Sequence, residues 1–130
     1  MIEVYTDGGS RGNPGKAACA FVVYKDGELL HQESFYLGFT TNNQAEYQGL
    51  LKSLEFLISN NIFEAKFFSD SELMVKQIQK LYRVKDEGIL KIYNEVSQKK
   101  NKFRDFQISH VRRESNKLAD SLVNRCLDAV

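Results

Sequence analysis

The chain has 130 residues, 42% of them hydrophobic and 27% charged, with 18 Lys+Arg against 17 Asp+Glu for a formal net charge of +1. That length fits one domain over residues 1–130, and no stretch approaches the ~20 apolar residues of a membrane span. Cys19 and Cys126 stand far apart with no CxxC or Cys/His cluster, which argues against a disulfide scaffold or a zinc site and predicts a reduced, cytoplasmic protein.

Residues 2–7 alternate apolar and polar as a strand does, and they lack the basic and apolar regions of a signal peptide. The segment Gly8-Gly9-Ser10-Arg11-Gly12-Asn13-Pro14-Gly15 reads as a turn too rich in glycine for regular structure. Ala17–Tyr24 predicts a buried strand, Lys25-Asp26-Gly27 a hairpin turn, and Glu28–Phe39 the partner strand. The period then changes: Tyr47, Leu50, Leu51, Leu54, Leu57 and Ile58 recur at helical spacing, with Asn42 or Asn43 as cap and Asn60-Asn61 as the stop. Ala65–Ser69 predicts a short strand, 71–81 and 90–100 helices, Phe103–Val111 a strand and Asn116–Leu127 the closing helix. The order is βββαβααβα. A helical crossover between strands requires a parallel component, so an α/β fold is expected, its mixed sheet opening with three antiparallel strands and flanked by helices.

The near-zero net charge hides an asymmetry. Residues 1–70 hold 5 Lys+Arg and 9 Asp+Glu, whereas 71–130 hold 13 and 8. Lys99, Lys100, Lys102, Arg104, Arg112, Arg113 and Lys117 form a basic stretch that reads either as a solvated face or as a surface for phosphate. Four carboxylates fall where surface charge is not the natural explanation. Asp7 ends the first strand, Glu46 lies at the start of the first long helix, Asp70 follows the fourth strand, and Asp120 lies in the last helix. If the first and fourth strands are neighbours, Asp7 and Asp70 leave the same sheet edge, the favoured place for ligand sites in α/β sheets. Converging carboxylates repel unless cations neutralise them, and magnesium is the hard, oxygen-seeking candidate. The alternatives are a macrodipole role for Glu46 and an N-cap role for Asp70; neither accounts for Asp7 or Asp120.

Tyr5-Thr6-Asp7-Gly8-Gly9-Ser10-Arg11-Gly12-Asn13-Pro14-Gly15 resembles the opening signature of type 1 ribonuclease H. The order of Thr41-Asn42-Asn43-Gln44-Ala45-Glu46, Ser69-Asp70-Ser71 and Asn116-Lys117-Leu118-Ala119-Asp120 also matches that family. The resemblance implies a ribonuclease H-like fold with a five-stranded sheet and an endonuclease that cuts the RNA strand of RNA–DNA hybrids, leaving 5′-phosphate and 3′-hydroxyl ends. It further implies that Asp7, Glu46, Asp70 and Asp120 would hold two Mg2+ ions, with Mn2+ as a substitute. Asp7 would hold both ions, and Asp70 would orient the attacking water.

Asn42, Asn43 and Gln44 offer amides suited to ribose 2′-hydroxyls and minor-groove edges. Gly8, Gly9, Ser10 and Asn13 would let backbone approach the RNA strand, and Ser71 completes the expected substrate-binding set. Many bacterial members use a loop histidine to assist product release. Here the compressed His110-Val111-Arg112-Arg113-Glu114 segment is similar to an archaeal-type branch in which an arginine replaces it, which makes Arg113 the expected catalytic partner and His110 the alternative. The basic protrusion of larger members is missing. Binding would then rest on Lys76, Lys80, Arg83, Lys85 and the 99–104 cluster, with strong salt dependence. The expected partners are an RNA–DNA hybrid and, as a second candidate, double-stranded RNA; a monomer away from membranes is expected.

The 10–17 segment looks superficially like a P-loop but has Ser10 for the first glycine and Ala17 for the final hydroxyl residue. A non-catalytic hybrid binder would have no use for a repulsive acidic cluster. An exonuclease or strand transferase of the same fold would carry Asp-x-Glu on the first strand, where this chain has Asp7-Gly8-Gly9. Cys19 and Cys126 are expected as buried small residues, His31 at the surface, and Phe35, Tyr36, Phe39, Phe67 and Phe68 in the core or on the sheet.

Overall fold

A computed structural model describes residues 1–130. The strands are β1 (Ile2–Arg11), β2 (Gly15–Lys25), β3 (Glu28–Thr40), β4 (Glu64–Ser69) and β5 (Asp105–His110). The helices are α1 (Asn42–Ser59), α2 (Glu72–Ile78), α3 (Glu87–Lys100) and α4 (Lys117–Asp128), with a 3-10 turn at Arg113–Ser115. The sheet order is β3-β2-β1-β4-β5. β1–β2 and β2–β3 are antiparallel, β1–β4 and β4–β5 parallel. This is the five-stranded mixed sheet and the βββαβααβα order that the hydrophobic periods predict. No helix is long and apolar enough to cross a membrane.

The alternation along β2 divides the interior into two. Phe21 and Val23 join α1, α2 and α3 in a cluster of 17 buried residues, whereas Ala18, Ala20 and Val22 meet α4 in a cluster of 7. Small alanines let α4 lie close to the strands, and its Leu122, Val123 and Leu127 fill the space above them. The first and larger core fixes the strand ends that matter for chemistry.

Several boundaries differ from the sequence reading for local reasons. The glycine-rich segment is not one turn: β1 continues through Gly8, Gly9, Ser10 and Arg11, paired with β2 down to Arg11↔Lys16. Only residues 12–14 turn, with Gly12 at φ 88°, a backbone conformation that favours glycine. The cap of α1 is Thr41, whose hydroxyl accepts from the Gln44 N–H at 3.2 Å, and not Asn42 or Asn43, which are already helical. α2 is shorter than expected because Lys80 adopts φ 65° and the N–H groups of Leu81 and Tyr82 fold back to the Lys76 carbonyl. α3 starts earlier, at Glu87, because Asp86 accepts from the N–H groups of Gly88 and Ile89.

His31 lies at the surface as expected, but with one side of its ring covered. Its pairing with Val23 turns it toward α1, where its ring stacks on Phe56 at 4.1 Å and Nε2 meets Glu33 at 2.9 Å. Phe67 is in the core, while Phe39 is 74% exposed at the end of β3. Cys19 is fully buried, which pushes its thiol up to about 12; Cys126 is half-buried, and both thiols are free.

Lys80 holds a left-handed backbone conformation at the position after a helix where glycine is favoured. Lys80→Gly is expected to raise stability by about 1 kcal/mol, read as a higher urea midpoint with an unchanged m-value.

Candidate active site

The parallel β1–β4 pairing ends at Thr6↔Ser69. Asp7 and Asp70 are the next residue on each chain, so they leave the same edge side by side. Asp70 does not cap α2, because Ser71 does: its hydroxyl accepts from the Met74 N–H, and the Ser71 N–H in turn bonds Ser69 Oγ at 3.0 Å. That tight turn leaves the Asp70 carboxylate unused by the helix. Glu46 is the fifth residue of α1, past the first turn, so the macrodipole does not account for it either.

What brings Glu46 to Asp7 is the contact between α1 and β1. A Cβ on Gly8 would overlap the Ala45 carbonyl and lie 2.5 Å from the Glu46 nitrogen. Gly8 is therefore required by the packing of α1, while its backbone also lines the cleft. Gly9 has ordinary room, its nearest neighbours being Asn42 Oδ1 and Val123.

Ligand oxygens of Asp7, Glu46 and Asp70 lie within 4.8 Å of one another. Asp7 is 5% and Glu46 6% exposed, and Glu46 Oε1 is buried with no hydrogen-bond partner. Burial, then the charges of Asp70 and Asp120, push Asp7 up to about 8, against a bond from the Gly8 N–H. Burial and the same kind of repulsion, from Asp7 and Asp70, raise Glu46 well above the usual range. Asp70 is raised mainly by burial, while the Arg113 guanidinium and a hydrogen bond from Asn116 pull it back. Buried carboxylates with an orphaned oxygen and no cationic side chain bonded to them are a donor set suited to a hard, oxygen-seeking cation.

Asp120 is outside the 4.8 Å group but lines the same cleft, together with Arg113, Gly9 and Asn42. The structure thus gathers all four expected carboxylates, three within 4.8 Å of one another and Asp120 beside Asp7 in the same cleft. Arg113 faces them from the 3-10 turn, while His110 is exposed at the end of β5, near enough to Asp70 to join Arg113 in pulling its carboxyl down. Asn42 Oδ1 accepts from Ser10 N–H at 3.1 Å, and Asn13 Oδ1 accepts from Asn42 N–H at 2.9 Å. These carbonyls lock β1, the following turn and α1 together, leaving the amide NH2 groups as the free donors. Asn43 is exposed beside them, and Gln44 is half-buried next to Gly88. Ser10 Oγ is buried and unpartnered.

Three residues at the site were missed in the sequence. Arg11 lines the cleft, reaching Asn124 O at 3.3 Å and Asp128 at 2.6 Å. Asn124 Nδ2 donates to Asp120 at 3.4 Å, and Asn116 is buried behind Asp70. Their signal is spacing: Asn116 and Asn124 sit four residues either side of Asp120, on one helical face.

A family profile described as "Reverse transcriptase-like" matches residues 5–126. The crystal structure of RNase H1 from Halobacterium salinarum superposes with a TM-score of 0.96 at 34% identity, covering 99% of this chain and 98% of that one. LC11-RNase H1, in complex with RNA/DNA hybrid, matches with a TM-score of 0.92 at 38% identity, covering 96% and 95%. The bifunctional protein Rv2228c of Mycobacterium tuberculosis is 35% identical over 130 residues, 98% of this chain. The chain spans 36% of the length of Rv2228c and 64% of the full-length Halobacterium ribonuclease HI.

The raised Asp7 carboxyl sets a pH dependence. Its protonated form is favoured in the folded state, so its contribution to stability is full below about 4 and is lost as pH rises through about 8. In chelator, the wild-type melting temperature is expected to fall over that window. Asp7→Asn should remove much of the fall, melting roughly 3–6 °C above wild type at the alkaline end.

Proposed function

Because the chain belongs to the type 1 ribonuclease H family, we propose that it is a metal-dependent endonuclease that hydrolyses the RNA strand of RNA–DNA hybrids, giving 5′-phosphate and 3′-hydroxyl ends. The observation that carries this reading is the convergence of Asp7, Glu46 and Asp70 within 4.8 Å around an unpartnered, buried Glu46 oxygen. A purely structural cluster of that kind would be a net cost with no return.

Asp7, Glu46, Asp70 and Asp120 are the residues that would hold two divalent ions, Mg2+ with Mn2+ as substitute. Such ions neutralise charge on the attacking and leaving oxygens of an in-line phosphoryl displacement. Asp70, the least buried of the tight three, accepts a hydrogen bond from the attacking water and so orients it. Arg113 presents a permanent cation to the departing phosphate from the opposite wall, where its guanidinium already acts on Glu46 and Asp70. The NH2 groups of Asn13, Asn42, Asn43 and Gln44, with the hydroxyls of Ser10 and Ser71 and the backbone at Gly8 and Gly9, form the face for the ribose 2′-hydroxyls and the minor groove. Discrimination of RNA from DNA follows from that hydroxyl, which a DNA strand cannot offer. A monomer in the reducing cytoplasm completes the reading: one chain supplies the whole cleft, and its two cysteines are free thiols.

Incubation with labelled RNA–DNA hybrid, double-stranded RNA and DNA duplex, with and without Mg2+ or Mn2+, tests the reading. Metal-dependent cuts confined to the RNA strand of the hybrid are expected, with double-stranded RNA as the slower candidate and DNA duplex intact. Cleavage in chelator, or no cleavage of hybrid with either ion, would overturn it. Asp7→Asn and Asp70→Asn should each lower the rate about 1000-fold or more with the fold preserved by circular dichroism. Arg113→Ala should lower kcat roughly tenfold or more, and His110→Ala much less; the opposite ranking would give the histidine the role assigned here to the arginine.

A further inference from the structure

Asn116 stands at the N-cap of α4, where an asparagine ordinarily turns its carbonyl oxygen back to a helix N–H. Here it makes no side-chain capping bond. The side chain instead points inward, the residue is 2% exposed, and Nδ2 donates to the Thr6 carbonyl at 2.9 Å. The same amide stands beside the Asp70 carboxylate and helps offset the rise in its pKa. Its backbone carbonyl accepts from the Asp120 N–H at 3.1 Å. One residue thereby touches the strand just before Asp7, the carboxylate of Asp70 and the amide of Asp120.

This arrangement costs stability twice. The helix forgoes its side-chain cap, and Asn116 Oδ1 is left buried without a donor. A serine would cap the helix and leave no orphaned amide oxygen. What only the asparagine supplies is a planar NH2 with two hydrogens, long enough to meet the Thr6 carbonyl and the Asp70 carboxylate together.

We propose that Asn116 is a positioning residue, a buried amide clamp that holds β1, the β4–α2 turn and α4 in the single register in which Asp7, Asp70 and Asp120 face the same cations. It touches neither substrate nor reacting atoms. The proposal rests on the metal-dependent reading of the cleft, and its effect passes through Asp70 and Asp120. Partners that orient metal-holding groups from behind typically change metal affinity or activity by 10–100-fold when removed.

The test uses Asn116→Ser and Asn116→Ala with two readouts at 25 °C, Mn2+ binding by electron paramagnetic resonance and steady-state cleavage of RNA–DNA hybrid. Serine restores a helix cap but cannot span both partners. Asn116→Ser is therefore expected to keep a melting temperature near that of wild type while Mn2+ affinity falls about tenfold and kcat about 10–100-fold, with KM changed less than about threefold. Asn116→Ala should show the same functional loss with a lower melting temperature. A folded serine variant whose Mn2+ affinity and kcat stay within about twofold of wild type overturns the proposal. Should the serine variant not fold, Asn116→Asp, which keeps the shape but not the donors, decides on the same criteria. Mn2+ binding needs no substrate, so a wild-type protein inactive on hybrids would refute the substrate reading while the clamp is still judged by metal affinity.

Discussion

Everything at the cleft depends on how closely α1 can lie against β1. Gly8 on the strand and Gly49 on the helix each remove a side chain from the line of contact, and a Cβ on Gly49 would come 2.7 Å from the Asp7 carbonyl. With both absent, backbone meets backbone, and Glu46 is lowered onto Asp7 while the nearby Gly8 N–H moderates the rise of both carboxyls. Oxygens within 4.8 Å at an effective dielectric near 20 repel by about 3–4 kcal/mol per ionised pair. With three such pairs, that repulsion approaches the whole stability of an ordinary domain. The cluster can persist only by holding protons, as the raised Asp7, Glu46 and Asp70 do, or by holding cations. The packing thus stores an affinity for positive charge in the fold itself.

The same constraint explains why net charge is a poor guide to partner. The acidic part of the chain forms the strands and the first helix that meet at the cleft, and the basic part forms the helices and loops that follow. Arg113 is the one cation of the basic half that lines the cleft, and it moderates Glu46 and Asp70 without pairing with either. A phosphodiester entering such a site meets fixed positive charge on one wall and carboxylates that require cations on the other. The formal +1 averages two surfaces that do opposite work.

Hydrophobic period and strand ends made much of this legible. Asp7 and Asp70 could be brought together from the chain only on the condition that the first and fourth strands are neighbours; the crossover implied a parallel component, and the structure supplies the order. Glu46 could be suspected but not placed, because its position depends on Gly8 meeting the Ala45–Glu46 backbone and Gly49 meeting the Asp7 carbonyl, contacts far apart along the chain. The packing role of Gly8 was hidden for the same reason: a sequence marks where a backbone is approached, not what approaches it. Thr41 displaced Asn42 as the cap because the asparagine carbonyl was already engaged by Ser10. His31 looked solvated among polar neighbours, yet the strand's alternation turned it onto Phe56. Asn116 was marked by its place in the Asn116–Asp120 motif and its spacing from Asp120, but not by its role, since Thr6 and Asp70 lie 110 and 46 residues away along the chain.

The division of the interior into two cores assigns different footing to the four carboxylates. Asp7, Glu46 and Asp70 sit on elements tied into the 17-residue cluster, which fixes their mutual distances. Asp120 rides on α4, held over alanines by a cluster of 7 and pinned by polar contacts at its ends. At one end Asn116 reaches the Thr6 carbonyl; at the other Arg11 grips Asn124 O and Asp128. Apolar packing alone is undirected and tolerates sliding, whereas these bonds have length and angle. That is why the smaller core is supplemented by hydrogen bonds near both ends of the helix, which bring Asp120 beside Asp7 though outside the 4.8 Å group. The placement of the fourth carboxylate is thus a matter of hydrogen-bond geometry, and that of the other three a matter of packing.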